Sequence, residues 1–183
     1  MATQLRYDLR CHNPINHISW GDFSTILQYA HSVKLILAII SPTRPHTKSD
    51  VEAKLAEDYL ARASRSLPCQ TDHHGSEAAL LTWLDRQAAR TTPVLILLDS
   101  RGKQLTSEDI AALIGRHRDR GTQTLVLAIG PPDGWSETAC KRAALVLSFG
   151  AITLPHKLVR VVLAEQIYRA TTILAGHPYH TGH

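Results

Sequence analysis

Cysteine is scarce in this chain. Cys11, Cys69 and Cys140 are an odd number, widely spaced, and none belongs to a C-x-x-C pair. That argues against a disulfide framework or a zinc ribbon and fits reduced thiols in a cytoplasmic protein. Long apolar runs are missing too. Runs such as Leu35-Ile36-Leu37-Ala38-Ile39-Ile40 and Val94-Leu95-Ile96-Leu97-Leu98 are far short of the roughly 20 residues a membrane helix needs. No charged start followed by an apolar stretch opens the chain, so no secretory signal is expected. Several signatures are absent as well. No G-x-G-x-x-G follows an apolar run. Gly102-Lys103 lacks the glycine a phosphate loop needs five positions earlier, where Leu97 stands. Ser100 and Ser148 have no G-x-S-x-G context, which removes support for hydrolase chemistry. The 11 histidines are scattered without ligand spacing, and His73-His74 reads as part of a polar loop, so no metal site is expected.

What is present reads as globular. Apolar residues make up 44% and charged ones 20% of 183, enough for one domain with a real core. The net charge of +4 favours an anionic partner such as nucleic acid. Residues 1–32 lack the regular pattern that begins at Val33. Lys34 to Ile40 is a near-continuous apolar run, as in a strand buried on both faces. Ser49-Asp50-Val51-Glu52 has capping-box spacing and opens a helix to about Ser66. A short strand over 67–71 and a helix over 76–89 follow. Pro93 to Asp99 is a second strongly apolar strand. Thr106 or Ser107 caps a helix to Asp119 that Gly121 ends. Thr124 to Ile129 is a third such strand. A short helix over 137–142 precedes a strand over 145–149. Pro155 then sits in the first turn of a long helix that ends at Gly176. On it Val159, Leu163, Ile167, Ala170 and Leu174 repeat at helical spacing.

Strands alternating with helices predict an α/β fold, a mainly parallel sheet sandwiched by helices. Ligands of such sheets sit at the carboxyl ends of strands. Three loops leave such ends: 99–104, 130–135 and 150–155. Gly130-Pro131-Pro132-Asp133-Gly134 is a rigid turn and reads equally as a plain tight loop. Gly150 to His156 is unusual, because small and apolar residues fill a connection that should be polar. Such a loop is either packed under another element or completed by a ligand that satisfies its backbone groups.

Taken together these segments resemble the RlmH family of SPOUT methyltransferases. The resemblance is carried by Leu97 through Glu108, by Ile129-Gly130 with Pro132-Asp133-Gly134, and by Leu147-Ser148-Phe149. It is densest from Thr153 to Ala170, and His177-Pro178-Tyr179-His180 closes it. It is clear from about 93 to 180, fainter over 33–92 and absent from 1–32.

The resemblance implies S-adenosylmethionine-dependent methylation of N3 of a pseudouridine in 23S ribosomal RNA. It further implies a C-terminal trefoil knot, a homodimer, and the ribosome as partner, with no membrane and no metal. Carried over by position, the cofactor would be held by Leu98, Gly130, Phe149, Gly150, Ala151, Ile152, Thr153 and Leu154. His156, Arg160, Tyr179 and His180 would form the catalytic side, with the tail of one subunit completing the site of the other. Arg160, Arg169 and Lys157 are candidate phosphate contacts. A salt-bridged helix face is the structural alternative for Arg160, Glu165 and Arg169.

Three positions depart from the family pattern. Pro131 replaces a usual second glycine and removes one amide donor, a loss of roughly 0.5–1.5 kcal/mol for one hydrogen bond. Thr181-Gly182-His183 follows the Tyr-His pair where a basic residue is usual. Ser41-Pro42-Thr43 stands where the family has Gly-Lys. These departures keep open a second reading, a non-catalytic ribosome- or RNA-binding protein on the same fold, and a third, action on another RNA. Val33 aligns with the family's usual Met start. Residues 1–32 are therefore expected to be a misplaced start or a dispensable leader, with 33–183 a single methyltransferase domain.

Overall fold

In the computed structural model, which describes residues 32–41 and 50–180 apart from the His180 side chain, five strands alternate with helices. The expectations for residues 1–31, for Pro42-Thr43 and for Thr181-Gly182-His183 lie outside the described residues. Strand β1 (Lys34–Ile40) leads to α1 (Val51–Ala63), β2 (Cys69–His74) and α2 (Glu77–Ala88). Then come β3 (Val94–Gln104), α3 (Ser107–Asp119), β4 (Thr124–Ile129), α4 (Glu137–Arg142), β5 (Leu145–Ser148) and α5 (His156–Leu174). A 3-10 turn over Pro178–His180 follows. The sheet order is β2-β1-β4-β3-β5, and every described pairing is parallel.

The apolar runs have no polar alternation because both faces of the sheet are covered. Leu35, Leu37 and Ile39 of β1 join Leu125, Leu127 and Ile129 of β4 in one core, under α1, α3 and α5. Ile36, Ala38 and Ile40 point the other way, joining Val126, Ala128 and the Leu80 and Leu84 side chains of α2. On α5 the predicted stripe is the one that packs: Leu163, Ile167 and Ala170 are buried, with Val159 and Leu174 half-buried against the same core. Among the described residues no helix is long and apolar enough to cross a membrane.

Helix starts follow their capping residues. Thr106 and Asp109 form the capping box of α3, each side chain accepting the other's backbone N–H. For α1 the cap is Asp50, one residue later than the Ser49 spacing predicts; its carboxylate accepts from the Ala53 amide at 3.0 Å. Strand β2 reaches His74 instead of ending at 71, so the His73-His74 pair lies in a strand and not in a loop. Parallel pairing with β1 through Ile40 carries it that far, and His74 is buried there.

The largest difference from the expectation is in β3, which continues past Asp99 to Gln104 with a break in register. Leu147 of β5 is paired first with Leu98 and again with Lys103. The chain from 98 to 104 therefore passes over β5 and returns alongside it. Gly102 is the contact point: a Cβ there would lie 2.7 Å from the Leu147 carbonyl carbon and from the Val146 oxygen. Backbone cannot yield as a side-chain tip can, so only glycine fits. Gly102→Ala should therefore cost about 1–3 kcal/mol in chemical denaturation. Gly75→Ala, where nothing lies within 4 Å of the new Cβ, should change stability by less than about 0.5 kcal/mol. Equal losses at both positions would refute a close backbone crossing.

Candidate functional site

Three loops meet at the carboxyl ends of β3, β4 and β5, and each is fixed by a specific contact. After β4, Gly130 is followed by a turn in which the Gly134 amide donates to the Pro131 carbonyl at 3.0 Å. Gly134 has φ +83, a conformation glycine adopts without strain. This turn returns Trp135 onto Gly130, where a Cβ would meet the indole at 2.7 Å. Trp135 is buried, and its Nε1–H donates to the Leu98 carbonyl at 2.9 Å. The indole thus ties the loop after β4 to the end of β3.

After β5, Ser148 plays the matching part. Its Oγ accepts from the Gly150 amide at 3.1 Å. It also stands 3.1 Å from the Ser100 carbonyl and 3.0 Å from that of Gly150, either of which takes its one proton. Gly150 has φ +120, which bends the chain into the apolar segment that precedes α5. At the start of α5, His156 donates its Nε2–H to the Gly130 carbonyl at 3.0 Å. With Nε2 committed as donor, Nδ1 is the ring atom left for a proton.

Between these loops lies a cavity of about 380 Å³, within the usual range for small-molecule sites. Of the cofactor candidates, Leu98, Gly130, Phe149, Gly150, Ile152, Thr153 and Leu154 line it. Ala151 does not. Its walls are mainly apolar, with backbone groups and few polar side chains. Its described lining holds one carboxylate, Asp99, and neither lysine nor arginine. Asp99 is engaged: its Oδ1 accepts from the Arg101 amide and Nε, and its Oδ2 from the guanidinium, all at 2.9 Å. The Arg101 side chain holds the Asp99 carboxyl below its ordinary 3.8, against the opposing effect of burial.

The four residues of the expected catalytic side are not brought together within one chain. His156 lines the cavity. Arg160, one turn later, is 94% buried by its 6% exposure, and its Nε has no hydrogen-bond partner. Tyr179 lies instead against the far half of α5. Its ring centroid is 4.7 Å from that of Tyr168, with the Arg169 guanidinium 5.1 Å away, and its hydroxyl is 3.4 Å from Glu165 Oε1. Burial and the neighbouring Glu165 raise the Tyr179 hydroxyl above its usual value. Tyr168 follows His156 by 12 positions, about 18 Å along a helix. His180 belongs to the 3-10 turn beside Tyr179.

The salt-bridged alternative holds for part of this face. Arg169 pairs with Glu165 at 2.9 Å, and Lys157 with Asp50 at 3.4 Å. Arg160 has no such partner among the described residues. Trp135, Ser148 and Asp99 are site residues that the sequence reading did not single out. A tryptophan placed directly after a turn carries one usable signal, since a buried indole N–H needs an acceptor nearby. Among the described residues no group of three or more His, Cys, Asp or Glu could hold a metal ion. Burial pushes the Cys69 thiol up to about 12, away from nucleophilic chemistry.

The chain matches the model of the predicted SPOUT methyltransferase family over residues 37–180. The ribosomal RNA large subunit methyltransferase H of Koribacter versatilis is 53% identical over 75% of this chain and 93% of its own length. The protein of the same name from Mesorhizobium japonicum is 46% identical, over 73% and 92% respectively. Among solved structures, the SpoU methyltransferase AviRb of Streptomyces viridochromogenes, in complex with the cofactor AdoMet, is 16% identical with a TM-score of 0.44. It covers 80% of this chain and 59% of that one.

Two measurements check the geometry of the site. Trp135→Phe keeps the ring but leaves the Leu98 carbonyl without its donor, a loss of about 1–3 kcal/mol in urea denaturation. An unchanged midpoint would show that the indole bond contributes nothing. The Asp99–Arg101 pair sets a pH dependence. Asp99 has a depressed folded-state value, so its stabilisation is complete above the ordinary 3.8 and lost as pH falls through the lower folded value. Arg101→Gln should therefore be less stable than wild type at neutral pH, with the gap closing in the acid range below 3.8. A gap constant across that range would refute the pairing.

Proposed function

This chain belongs to the SPOUT methyltransferase family, and from that premise we propose that it methylates N3 of a pseudouridine in 23S ribosomal RNA. The observation that carries this reading is the convergence of three strand-end loops on one mainly apolar cavity. S-adenosylmethionine is the cofactor, and it supplies a methyl group activated on a sulfonium. Leu98, Phe149, Ile152 and Leu154 offer apolar surface for its adenine. Gly130 and Gly150 let backbone amides and carbonyls approach its polar edge. Thr153 and Ala151 belong to the same segment, Ala151 as a backbone contributor only. Positioning of donor and acceptor supplies most of what such a transfer needs.

An imide nitrogen must lose its proton before it accepts a methyl group. His156 Nδ1, the Tyr179 hydroxyl and His180 are the proton-handling candidates, and Arg160 supplies positive charge beside them. We place Tyr179 and His180 in the site of a second copy, because about 18 Å of helix separates His156 from the Tyr179 contact in one chain. A homodimer is supported by apolar residues left in the open: Val51 and Leu55 share one face of α1, and Leu158 is exposed on α5, which packs against α1. A threaded C-terminal knot is part of the same reading and rests on the family match. Residues 33–183 make up the methyltransferase domain, residues 1–32 are an extension dispensable for it, and the enzyme works in the cytoplasm on the ribosome.

Calorimetry with S-adenosylmethionine should give one site per chain. No heat at millimolar cofactor would overturn the enzymatic reading in favour of an RNA-binding role. Ribosomes, subunits and free 23S RNA from a strain lacking the protein, offered with labelled cofactor, should accept label at N3 of a pseudouridine. Label on another base would overturn the substrate assignment.

A further inference from the structure

We infer that Arg160 is the counter-ion for the carboxylate at the amino-acid end of S-adenosylmethionine, seated at the amino end of α5. The inference rests on the cofactor reading above and adds a binding role for one residue. Four observations lead to it.

The first is a charge left alone. Arg160 is buried, with no hydrogen bond to Nε and no described ion partner. A guanidinium cannot shed its proton in a protein, and an isolated buried charge is strongly unfavourable. Its neighbours on the same helix, Lys157 and Arg169, are each paired with a carboxylate. The buried Nε and the lack of a described carboxylate partner leave Arg160 able to take an anion.

The second is direction. Side chains on a helix tilt toward its amino end, a tendency that favours placing the Arg160 guanidinium over the first turn of α5. There it accompanies His156, four residues earlier and about 5–6 Å away between Cβ atoms. His156 is itself part of the cavity wall.

The third is the helix end. Among the described residues the other four helices begin at a side-chain cap, Asp50, Ser76, Thr106 or Ser136, with an acidic residue in the first turn. Helix α5 begins at Pro155 with no side-chain cap and no acidic residue in that turn. Its amide groups and dipole favour an anion there.

The fourth is what the cavity lacks. S-adenosylmethionine has one carboxylate, and the described lining offers it neither lysine nor arginine. Asp99, the one acidic group, is occupied by Arg101. An RNA phosphate presents the same chemistry, but a polymer has poor access to a side chain with 6% exposure. The end of a small ligand that extends past the His156 and Val159 wall of the cavity would reach it more readily, Arg160 itself lying outside the lining.

The test compares S-adenosylmethionine with its decarboxylated analogue by calorimetry on the full chain. Wild type should prefer the carboxylate-bearing ligand by about tenfold or more, the range for a hydrogen bond to a charged group. Equal affinities in wild type overturn the inference without any variant. Arg160→Met should bind both ligands alike, at the affinity wild type shows for the analogue. Without ligand its thermal midpoint should equal or exceed that of wild type, because a lone buried charge has been removed. A variant that keeps the preference overturns the proposal, and so does one whose ligand-free midpoint falls. If Arg160→Met leaves cofactor affinity intact and weakens binding of a 23S RNA fragment, the seat takes phosphate and the carboxylate assignment fails. If wild type binds neither small ligand, the cofactor reading itself falls, an outcome distinct from the others.

Discussion

A Cβ on Gly102 would lie 2.7 Å from backbone atoms of both Val146 and Leu147, so two stretches of main chain touch there with no side chain between them. The remaining site geometry follows from that contact. Because residues 98–104 pass over β5, the Ser100 carbonyl lies within reach of Ser148 Oγ, which in turn fixes Gly150. Because β3 turns at Leu98, the carbonyl of Leu98 is left for Trp135, whose indole packs on Gly130. Gly130 then presents its own carbonyl to His156 at the start of α5. A cavity wall made from three separate loops thus hangs on one close crossing. Rigid packing of this kind is what a site needs to hold a small ligand in one pose.

Much of the architecture was legible in the residues. Apolar runs such as Leu35 to Ile40 have no polar alternation, and a sheet covered on both faces is the arrangement that accommodates them. The strand-end loops were also legible, since Gly130 and Gly150 sit where such runs stop. Other features are set by partners far away in sequence. Nothing local to Gly102 announces that β5 passes beneath it. In strand β2 only the Asp-His-His ending reads as a loop by composition, and its pairing with β1 overrides that. Ser148 looked like a stray hydroxyl until Ser100 and Gly150 were brought beside it. Trp135, placed directly after a turn, is a signal that the sequence does carry. The cofactor, the RNA base and the knot came from resemblance and not from periodicity, which cannot reveal threading.

The long helix α5 divides the candidate residues into two groups with different chemistry. At its amino end, His156 lines the cavity and Arg160, outside the lining, is buried one turn later. Toward its carboxyl end, Glu165 gathers Arg169, Gln166 and the Tyr179 hydroxyl, and Gln166 reaches Ser107 of α3. Charges in the second group are largely neutralised within the chain, as an ion-paired helix face would be. The first group retains an unbalanced positive charge. A spacing alone presents Arg160 and Arg169 as equivalent, and only the placement of carboxylates around them separates a structural arginine from one open to a ligand.

The crossing at Gly102 also has a consequence for the surface. The 99–104 segment is fastened to β5 through main-chain atoms, and Arg101, Lys103 and Gln104 project outward in the open. Their identities are therefore largely decoupled from the fastening itself. This rim can change its charge to suit an incoming polyanion while the backbone beneath it stays in place. The outward side chains of Lys103 and Gln104 and the main-chain fastening of the pocket are different atoms of the same segment.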